Sequence, residues 1–308
     1  MRIVVTGGAG FVGSHVTDAF LQRGDEVLVV DDFSSGDREN LPEGVSLAEL
    51  DIADEGRVRA AFSEFDPDFV CHLAAQASVT VSVSDPQRDF ASNVLGTFNV
   101  VRSATEVGAR TAFASTGGAL YGEGAPIPTP ETYVPQPLSP YGAGKQAAEA
   151  YVGTLQRFHD VNHVVLRLGN VYGPRQNPHG EAGVVAIFSE RLLRREPPVV
   201  YGHGTPTRDY VHVRDIARAF VTLADADLAG TFNLGWGREV SVLEVLDALQ
   251  RAAGTTEEPK LEPLRPGELT RSAIDSLAAE AAFGWRPEID LDDGLAETLA
   301  WYATRQSA

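Results

Sequence analysis

Tyr141 and Lys145 stand four residues apart in the run Ser139-Pro140-Tyr141-Gly142-Ala143-Gly144-Lys145. Ser139 suits an N-cap, Pro140 suits the first helical position, and Ala147, Ala148 and Tyr151 continue an apolar helical face, so the spacing predicts a helix that carries both side chains on one side. A free phenol loses its proton near pH 10. A neighbouring ammonium and a helix N-terminus both favour the phenolate, and the pair is therefore expected to provide a base near neutral pH. The bare pair would also fit a surface helix. Against that, Lys145 and Lys260 are the only lysines in a chain that otherwise uses arginine for positive charge. A lysine kept here points to a need for a compact charge, which a guanidinium supplies poorly.

Such a pair needs elements that bring a substrate to it, and the start of the chain supplies them. Arg2 to Val5 reads as a buried strand, followed by Thr6-Gly7-Gly8-Ala9-Gly10-Phe11-Val12-Gly13 and a helix whose Val12, Val16, Ala19 and Phe20 share a side before Gly24 ends it. Gly7, Gly10 and Gly13 allow a tight turn, close approach to a pyrophosphate and tight helix packing. A second strand, Val27 to Asp31, ends in an acid where a ribose diol would lie. Asp31 and Asp32 together would repel a 2′-phosphate, which selects NAD over NADP. Asp51-Ile52, after a strand over Val45 to Leu50, is placed to meet the adenine. Leu73-Ala74-Ala75, after the strand Phe69 to Leu73, offers small residues for the dinucleotide to pass.

Helices are expected over Arg57 to Phe65 and Arg88 to Ala104, the latter carrying Asn93. A strand over Thr111 to Ala114 delivers Ser115-Thr116-Gly117-Gly118 to the carboxyl edge of the sheet. The proline-rich stretch up to Pro140 is expected to fold over that edge, and the valines at 79, 81 and 83 read as extended backbone. His163 to Leu168 forms a further strand leading into Asn170. This alternation predicts an α/β, Rossmann-like doubly wound parallel sheet with a smaller C-terminal α/β lobe. The division expected is 1–170 for NAD and 171–308 for substrate, with the segment near 208–234 returning to the first part. In the second part helices are expected over Val184 to Arg195, Ile216 to Ala224, Val242 to Ala253 and Leu291 to Tyr302, with a short strand over Pro197 to Tyr201.

Composition narrows the partners. A net charge of −18 argues against nucleic acid and anionic membranes. An anionic substrate then needs locally clustered arginines. The single cysteine, Cys71, rules out an intrachain disulfide and any multi-cysteine metal site, and its apolar surroundings make it core filler, as they do His72. No metal is expected. The strand at the very start and the lack of a long apolar run suggest a cytoplasmic protein.

Taken together, these residues resemble the extended short-chain dehydrogenase/reductase family, and within it the UDP-glucose 4-epimerase-like NAD-dependent sugar epimerases. The resemblance runs nearly end to end. It rests on Gly7/Gly10/Gly13, Asp51-Ile52, Leu73-Ala74-Ala75, Asn93-Val94-Leu95-Gly96, Tyr121-Gly122, Tyr141 with Lys145, Leu166 to Asn170, Arg208 to Val213, Arg265-Pro266-Gly267-Glu268 and Gly284-Trp285. The resemblance implies a retained NAD, held by the glycine turn with Phe11 and Val12, by Asp31, Asp32, Asp51, Ile52, Leu73, Ala74, Ala75 and Asn93, and by Tyr141 and Lys145. It implies interconversion of UDP-glucose and UDP-galactose through a 4-keto sugar, with Tyr141 taking the 4-hydroxyl proton and Lys145 bonding the nicotinamide ribose. Substrate contacts would come from Ser115, Thr116, Gly117, Gly118, Tyr141, Asn170, Val184, Tyr201, Arg208, Arg265 and Glu268. Asn170, Arg208 and Arg265 would meet the diphosphate. It also implies a homodimer built on the helices around Arg88 to Ala104 and Ala143 to Phe158.

One position departs from that pattern. The family usually places Ser or Thr four residues before the Tyr of its Tyr-Gly pair, to bond the sugar 4-oxygen; here that position is Gly117. Thr116 is the first candidate to supply the hydroxyl, with Ser115 the second. Related 4,6-dehydratases carry an Asp-Glu pair where this chain has Gly117 and Gly118, so dehydration lacks its acid and base. Ser272, a small residue near the position that gates a 2-N-acetyl group, leaves room for UDP-N-acetylhexosamines. The competing readings are epimerisation of a uronic acid or a GDP-linked sugar, and a dinucleotide sensor with no chemistry.

Overall fold

Along β1 (Arg2–Thr6) the side chains of Ile3 and Val5 enter one apolar cluster and Val4 enters another, because successive residues of a strand point to opposite faces. The computed structural model describes residues 1–178, 183–264 and 269–306. β1 lies inside a seven-stranded sheet that also contains β2 (Glu26–Asp31), β3 (Ser46–Glu49), β4 (Phe69–His72), β5 (Arg110–Thr116) and β6 (Val164–Leu168). Its seventh strand comes from much later in the chain. Between them lie β7 (Asn170–Tyr172), β8 (Val199–Tyr201), β9 (Thr207–Arg208) and β10 (Tyr210–His212), which pair outside the main sheet. β11 (Gly230–Leu234) then returns to it alongside β6. The order is β11-β6-β5-β4-β1-β2-β3 with every neighbour parallel. The order reverses between β1 and β4, the switch point where open α/β sheets bind ligands beyond their carboxyl ends.

Helices cover both faces, as a parallel sheet requires. α1 (Phe11–Arg23) seats Val16 and Phe20 in the first cluster. α2 (Glu55–Phe65) seats Val58 and Phe62 in the second. The chain after β4 is helical almost without a break: α3 (Val79–Ser84), α4 (Pro86–Phe90), a π-helical segment over Ala91–Gly96, and α5 (Thr97–Glu106). The strand-like alternation of Val79, Val81 and Val83 is thus overridden. Ser78 caps the helix by accepting from the Val81 N–H at 2.9 Å, and a side-chain cap of this kind outweighs the weak β preference of valine. α6 (Pro140–His159) follows the 117–138 loop and packs Ala148 and Val152 on Phe113 and Val165.

The second lobe holds α7 (Val184–Leu193), α9 (Val242–Ala253) and α11 (Leu291–Gln306) around Phe188, Leu246, Leu249, Leu295 and Leu299. α8 (Val213–Ala224) instead lies on the main sheet, its Ile216, Phe220 and Leu223 in the same cluster as Phe20. α10 (Leu277–Phe283) sets Phe283 edge-on to Phe232 of β11, with ring centroids 5.4 Å apart. The short strands β12 (Val240–Ser241) and β13 (Lys260–Glu262) pair with β9 and β8. Among the described residues no helix is long and apolar enough to cross a membrane.

Candidate active site

The glycine turn after β1 is shaped for close approach. Gly7 has φ +70°, a conformation that favours glycine, and a Cβ there would lie 2.6 Å from the backbone nitrogen of Ala74. A Cβ on Gly13 would fall 2.0 Å from the Gly7 carbonyl oxygen. Gly10 caps α1 with backbone alone, leaving the helix N-terminus open toward an anion. Ala74 is anchored by its N–H to the Thr6 hydroxyl at 3.2 Å, so the two ligand-edge loops are tied together.

Asp31 ends β2 beside this turn. Its buried carboxylate accepts from the Ala9 N–H and the Phe33 N–H, both at 2.9 Å, and burial raises its pKa. Asp32 is exposed and accepts from Ser34 N–H. Asp51 accepts from Ala53 N–H at 2.8 Å, and Ile52 is buried against the open face of Gly96. Asn93 sits in the π-helical segment and donates to the Gln76 carbonyl and to Asp89, both at 2.9 Å. Its buried Oδ1 has no partner among the described residues. A cradle that a single methyl would fill, a helix N-terminus and an orphaned amide oxygen at the sheet's switch point fit a dinucleotide.

α6 starts where the sequence places it. Ser139 accepts from Gly142 N–H at 3.2 Å, and Pro140 opens the helix. Lys145 is buried, donates to the Ala114 carbonyl of β5 at 2.9 Å and lies 4.8 Å above the Phe113 ring. Burial lowers its pKa to about 8, against the opposing pull of Asp89 and Glu149. The Thr116 hydroxyl stands near the Tyr141 phenol and favours its ionised form. Burial pushes the phenol up to about 12, Thr116 works the other way, and Asp89 adds to the rise. The phenolate expected near neutral pH is therefore not the resting state of the protein alone. Loss of solvent around the phenol is the largest cause of the rise.

Ser115, the other expected hydroxyl and substrate contact, faces away. It donates to Glu149 of α6 at 2.5 Å, because adjacent residues of a strand point to opposite faces. Glu149 is also held by Arg167 of β6 at 2.6 Å, and Arg167 donates to the Tyr121 hydroxyl at 2.9 Å. Tyr121 in turn donates to Asn233 of β11 at 2.7 Å. The Tyr-Gly motif is thus locked to the sheet from below the site.

Gly117 and Gly118 lie between Thr116 and Asn170. A Cβ on Gly118 would lie 3.1 Å from Asn170 Oδ1, and one on Gly117 would lie 2.8 Å from Ile274 Cδ1. Asn170 N–H donates to the Asp209 carbonyl at 2.7 Å, joining it to the strand that follows Arg208. Arg208 is partly buried on β9 and donates to the Thr207 carbonyl at 2.8 Å. Val184 opens α7 and Tyr201 closes β8, both in the second lobe. Arg265 and Glu268 lie outside the described residues. A cavity of about 110 Å³ adjoins Gly117, lined by Tyr121, Glu123, Thr129, Thr270 and Ser272 among others.

Two residues of this site escaped sequence reasoning: Asp89, four before Asn93, and Glu149, four after Lys145. Helical spacing from a named site residue was the available signal for both.

A doubly wound parallel sheet, a glycine cradle at its switch point and a half-buried tyrosine with a buried lysine on the adjoining helix define a dinucleotide-binding α/β protein equipped for proton transfer. A model of the NAD dependent epimerase/dehydratase family matches residues 3–235. The UDP-glucose 4-epimerase of Mycolicibacterium smegmatis is 41% identical over 312 residues, covering 99% of each chain. The crystal structure of the Thermotoga maritima UDP-glucose 4-epimerase with UDP-glucose is similar with a TM-score of 0.97 and 43% identity, over 99% of this chain and 100% of that one. That of the Thermus thermophilus UDP-glucose 4-epimerase in complex with NAD gives 0.91 and 45%, over 98% and 99%. The chain belongs to the NAD-dependent epimerase/dehydratase family.

Proposed function

We propose that the protein interconverts UDP-glucose and UDP-galactose by inverting C4 of the sugar, with NAD retained through the cycle. The observation that carries this reading is a buried Lys145, bonded to the Ala114 carbonyl one helical turn after Tyr141, at the ligand edge of a sheet with a dinucleotide cradle. The end-to-end identity with UDP-glucose 4-epimerases supports the choice of sugar nucleotide.

NAD supplies the oxidation and re-reduction at C4. Gly7, Gly10 and Gly13, with Phe11 and Val12, take its pyrophosphate side. Asp31 and Asp32 take the adenosine ribose, Asp51 and Ile52 the adenine, and Leu73 to Ala75 with Asn93 the passage between. Tyr141 receives the proton of the 4-hydroxyl and returns it, with Thr116 bonding the same oxygen and relaying the proton. Lys145 holds a positive charge near the phenol, which favours its ionised form. Asn170, Arg208 and Arg265 bind the diphosphate, a task suited to directional guanidinium bonds. Val184, Tyr201, Gly117, Gly118 and Glu268 complete the substrate side, whereas Ser115 supports α6 through Glu149. In this division residues 1–170 carry NAD and 171–308 the nucleotide sugar, with 208–234 contributing α8 and β11 to the first part.

Incubation of the purified protein with UDP-galactose and separation of the products tests the reading, and conversion to UDP-glucose is expected. Tyr141→Phe should keep its NAD and lose turnover. Bound NAD with no product from any nucleotide sugar would favour the dinucleotide sensor, and turnover restricted to a uronic acid or a GDP-sugar would favour those epimerisations. Ser272 on the cavity next to Gly117 favours a wider range that includes UDP-N-acetylhexosamines; failure to convert UDP-N-acetylglucosamine removes that extension.

The protein is proposed to act in the cytoplasm as a homodimer. Tyr151 is 48% exposed and Phe158 81% on α6, while Phe98 of α5 meets Tyr151 at 5.5 Å, which leaves an apolar face on the two helices. Light scattering of Tyr151→Glu should report a monomer where the parent chain is a dimer.

A further inference from the structure

Asp89 is a carboxylate that the reaction as described does not use. It is 2% exposed, on α4, and its Oδ1 accepts from Gln76 Nε2 and from Asn93 Nδ2, both at 2.9 Å. Its Oδ2 faces α6 at Gly144: a Cβ built there would lie 3.1 Å from that oxygen. Gly144 follows Tyr141 by three residues and precedes Lys145, so the carboxylate stands against the same helical stripe that carries the pair. It has no ion pair among the described residues.

We propose that Asp89 is a positioning residue that sets the protonation of the Tyr141–Lys145 pair by holding a buried negative charge against Gly144. The inference rests on the proposed epimerase reading. A negative charge here stabilises the ammonium of Lys145 and opposes formation of a second anion at Tyr141. Asp89 acts in both of these directions in this structure. Its own pKa is raised by burial, with the bonds from Gln76 and Asn93 and the charge of Lys145 opposing the rise.

The other groups around the pair do not duplicate it. Glu149 of α6 also favours the charged lysine, but Arg167 neutralises it at 2.6 Å. His72 of β4 is buried, and burial first and Lys145 second lower its pKa to about 3, so it carries no charge. Thr116 of β5 favours the phenolate. Arg88 of α4 is exposed, Arg102 and Glu106 of α5 pair with each other at 2.9 Å, and neither α3 nor the π-helical segment holds an ionisable side chain.

Replacing Asp89 by asparagine keeps an acceptor for Gln76 and Asn93 and removes only the charge. In the purified protein with its NAD, Asp89→Asn should lower both pKa values. Both limbs of the pH profile of UDP-galactose turnover, which the two groups set together, should then move down by about one pH unit. Ultraviolet difference titration, with Tyr141→Phe subtracted, should show the same fall in the Tyr141 midpoint. Asp89→Glu, which keeps the charge, should leave the limbs in place even where the rate drops. Should the asparagine variant not fold, Asp89→Ser is expected to give the same downward move. A rate lowered equally at every pH with unmoved limbs and an unmoved Tyr141 midpoint would overturn the proposal and leave a structural role. If the parent chain converts no nucleotide sugar, the epimerase reading fails, while the spectroscopic titration still decides the charge effect.

Discussion

Thr116, at the last position of β5, stands near the Tyr141 phenol and favours its ionised form. Its oxygen also accepts from the Ala119 N–H at 3.2 Å, which curls the following glycines away and leaves the hydroxyl at the phenol. Thr116→Ala should therefore lower kcat by about two to three orders of magnitude, the scale of a lost proton-relay group. Thr116→Ser should keep most of the activity. Steady-state kinetics on UDP-galactose make the comparison, and a Thr116→Ala enzyme as active as its parent would remove this residue from the proton path.

Placing a serine at the next position, Gly117, should harm the protein. A Cβ on Gly117 would lie 2.8 Å from Ile274 Cδ1 and 3.3 Å from the Leu168 carbonyl oxygen. Ile274 is itself fixed through its N–H to Asp209, so it has little freedom to retreat. Gly117→Ser is expected to cost about 1–3 kcal/mol, the usual range for overpacking. Ile274→Val, which removes the nearest atom, should recover part of that loss. Urea unfolding of the single and double variants tests the coupling.

The buried Arg167–Glu149 pair should be expensive to break and less so to replace. Both side chains are about one-tenth exposed or less, and they tie α6 to β6 beneath Lys145. Arg167→Met leaves Glu149 as an unpaired buried charge and should destabilise the fold by roughly 3–5 kcal/mol. Adding Glu149→Leu should regain much of it. Chemical unfolding that shows no recovery in the double variant would indicate that the Tyr121 bond, not the ion pair, dominates.

Acid should weaken the fold before it affects most carboxylates. Burial holds His15, His163 and His212 down to about 4 and His72 to about 3. Their unfolded forms take up protons near pH 6.5, so the folded state is favoured fully above that value. The advantage is lost as pH falls from 6.5 toward 4, up to about 2 kcal/mol for each histidine at pH 5. Asp209 works the other way: burial raises it to about 6, so its contribution is complete below about 3.8 and lost as pH rises through 6. Four groups outweigh one. The melting temperature should therefore drop steadily between pH 6.5 and 4.5, and a flat profile would count against neutral buried histidines.

Much of the scaffold was legible because its signals are local. The glycine turn, the acid at the end of β2 and the Ser139-Pro140 start of α6 depend on a few neighbouring residues, and the structure keeps each of them. Valines 79, 81 and 83 misled because Ser78, outside the alternating pattern, caps a helix. The sequence ranks Thr116 ahead of Ser115 from the glycines that follow, but the direction in which each side chain leaves β5 is set by the sheet, which turns Ser115 to Glu149.

By itself the amino-acid order determined that a dinucleotide cradle and a tyrosine–lysine pair exist, since both arise from backbone geometry within a single turn or helix. Tertiary structure alone decided their chemistry. It takes solvent from around the phenol and raises its pKa to about 12, sets Asp89 against Gly144, and turns the Ser115 hydroxyl to Glu149. The physical reason is that desolvation and charge–charge energies depend on distances between residues far apart in the chain, and no local pattern encodes those distances.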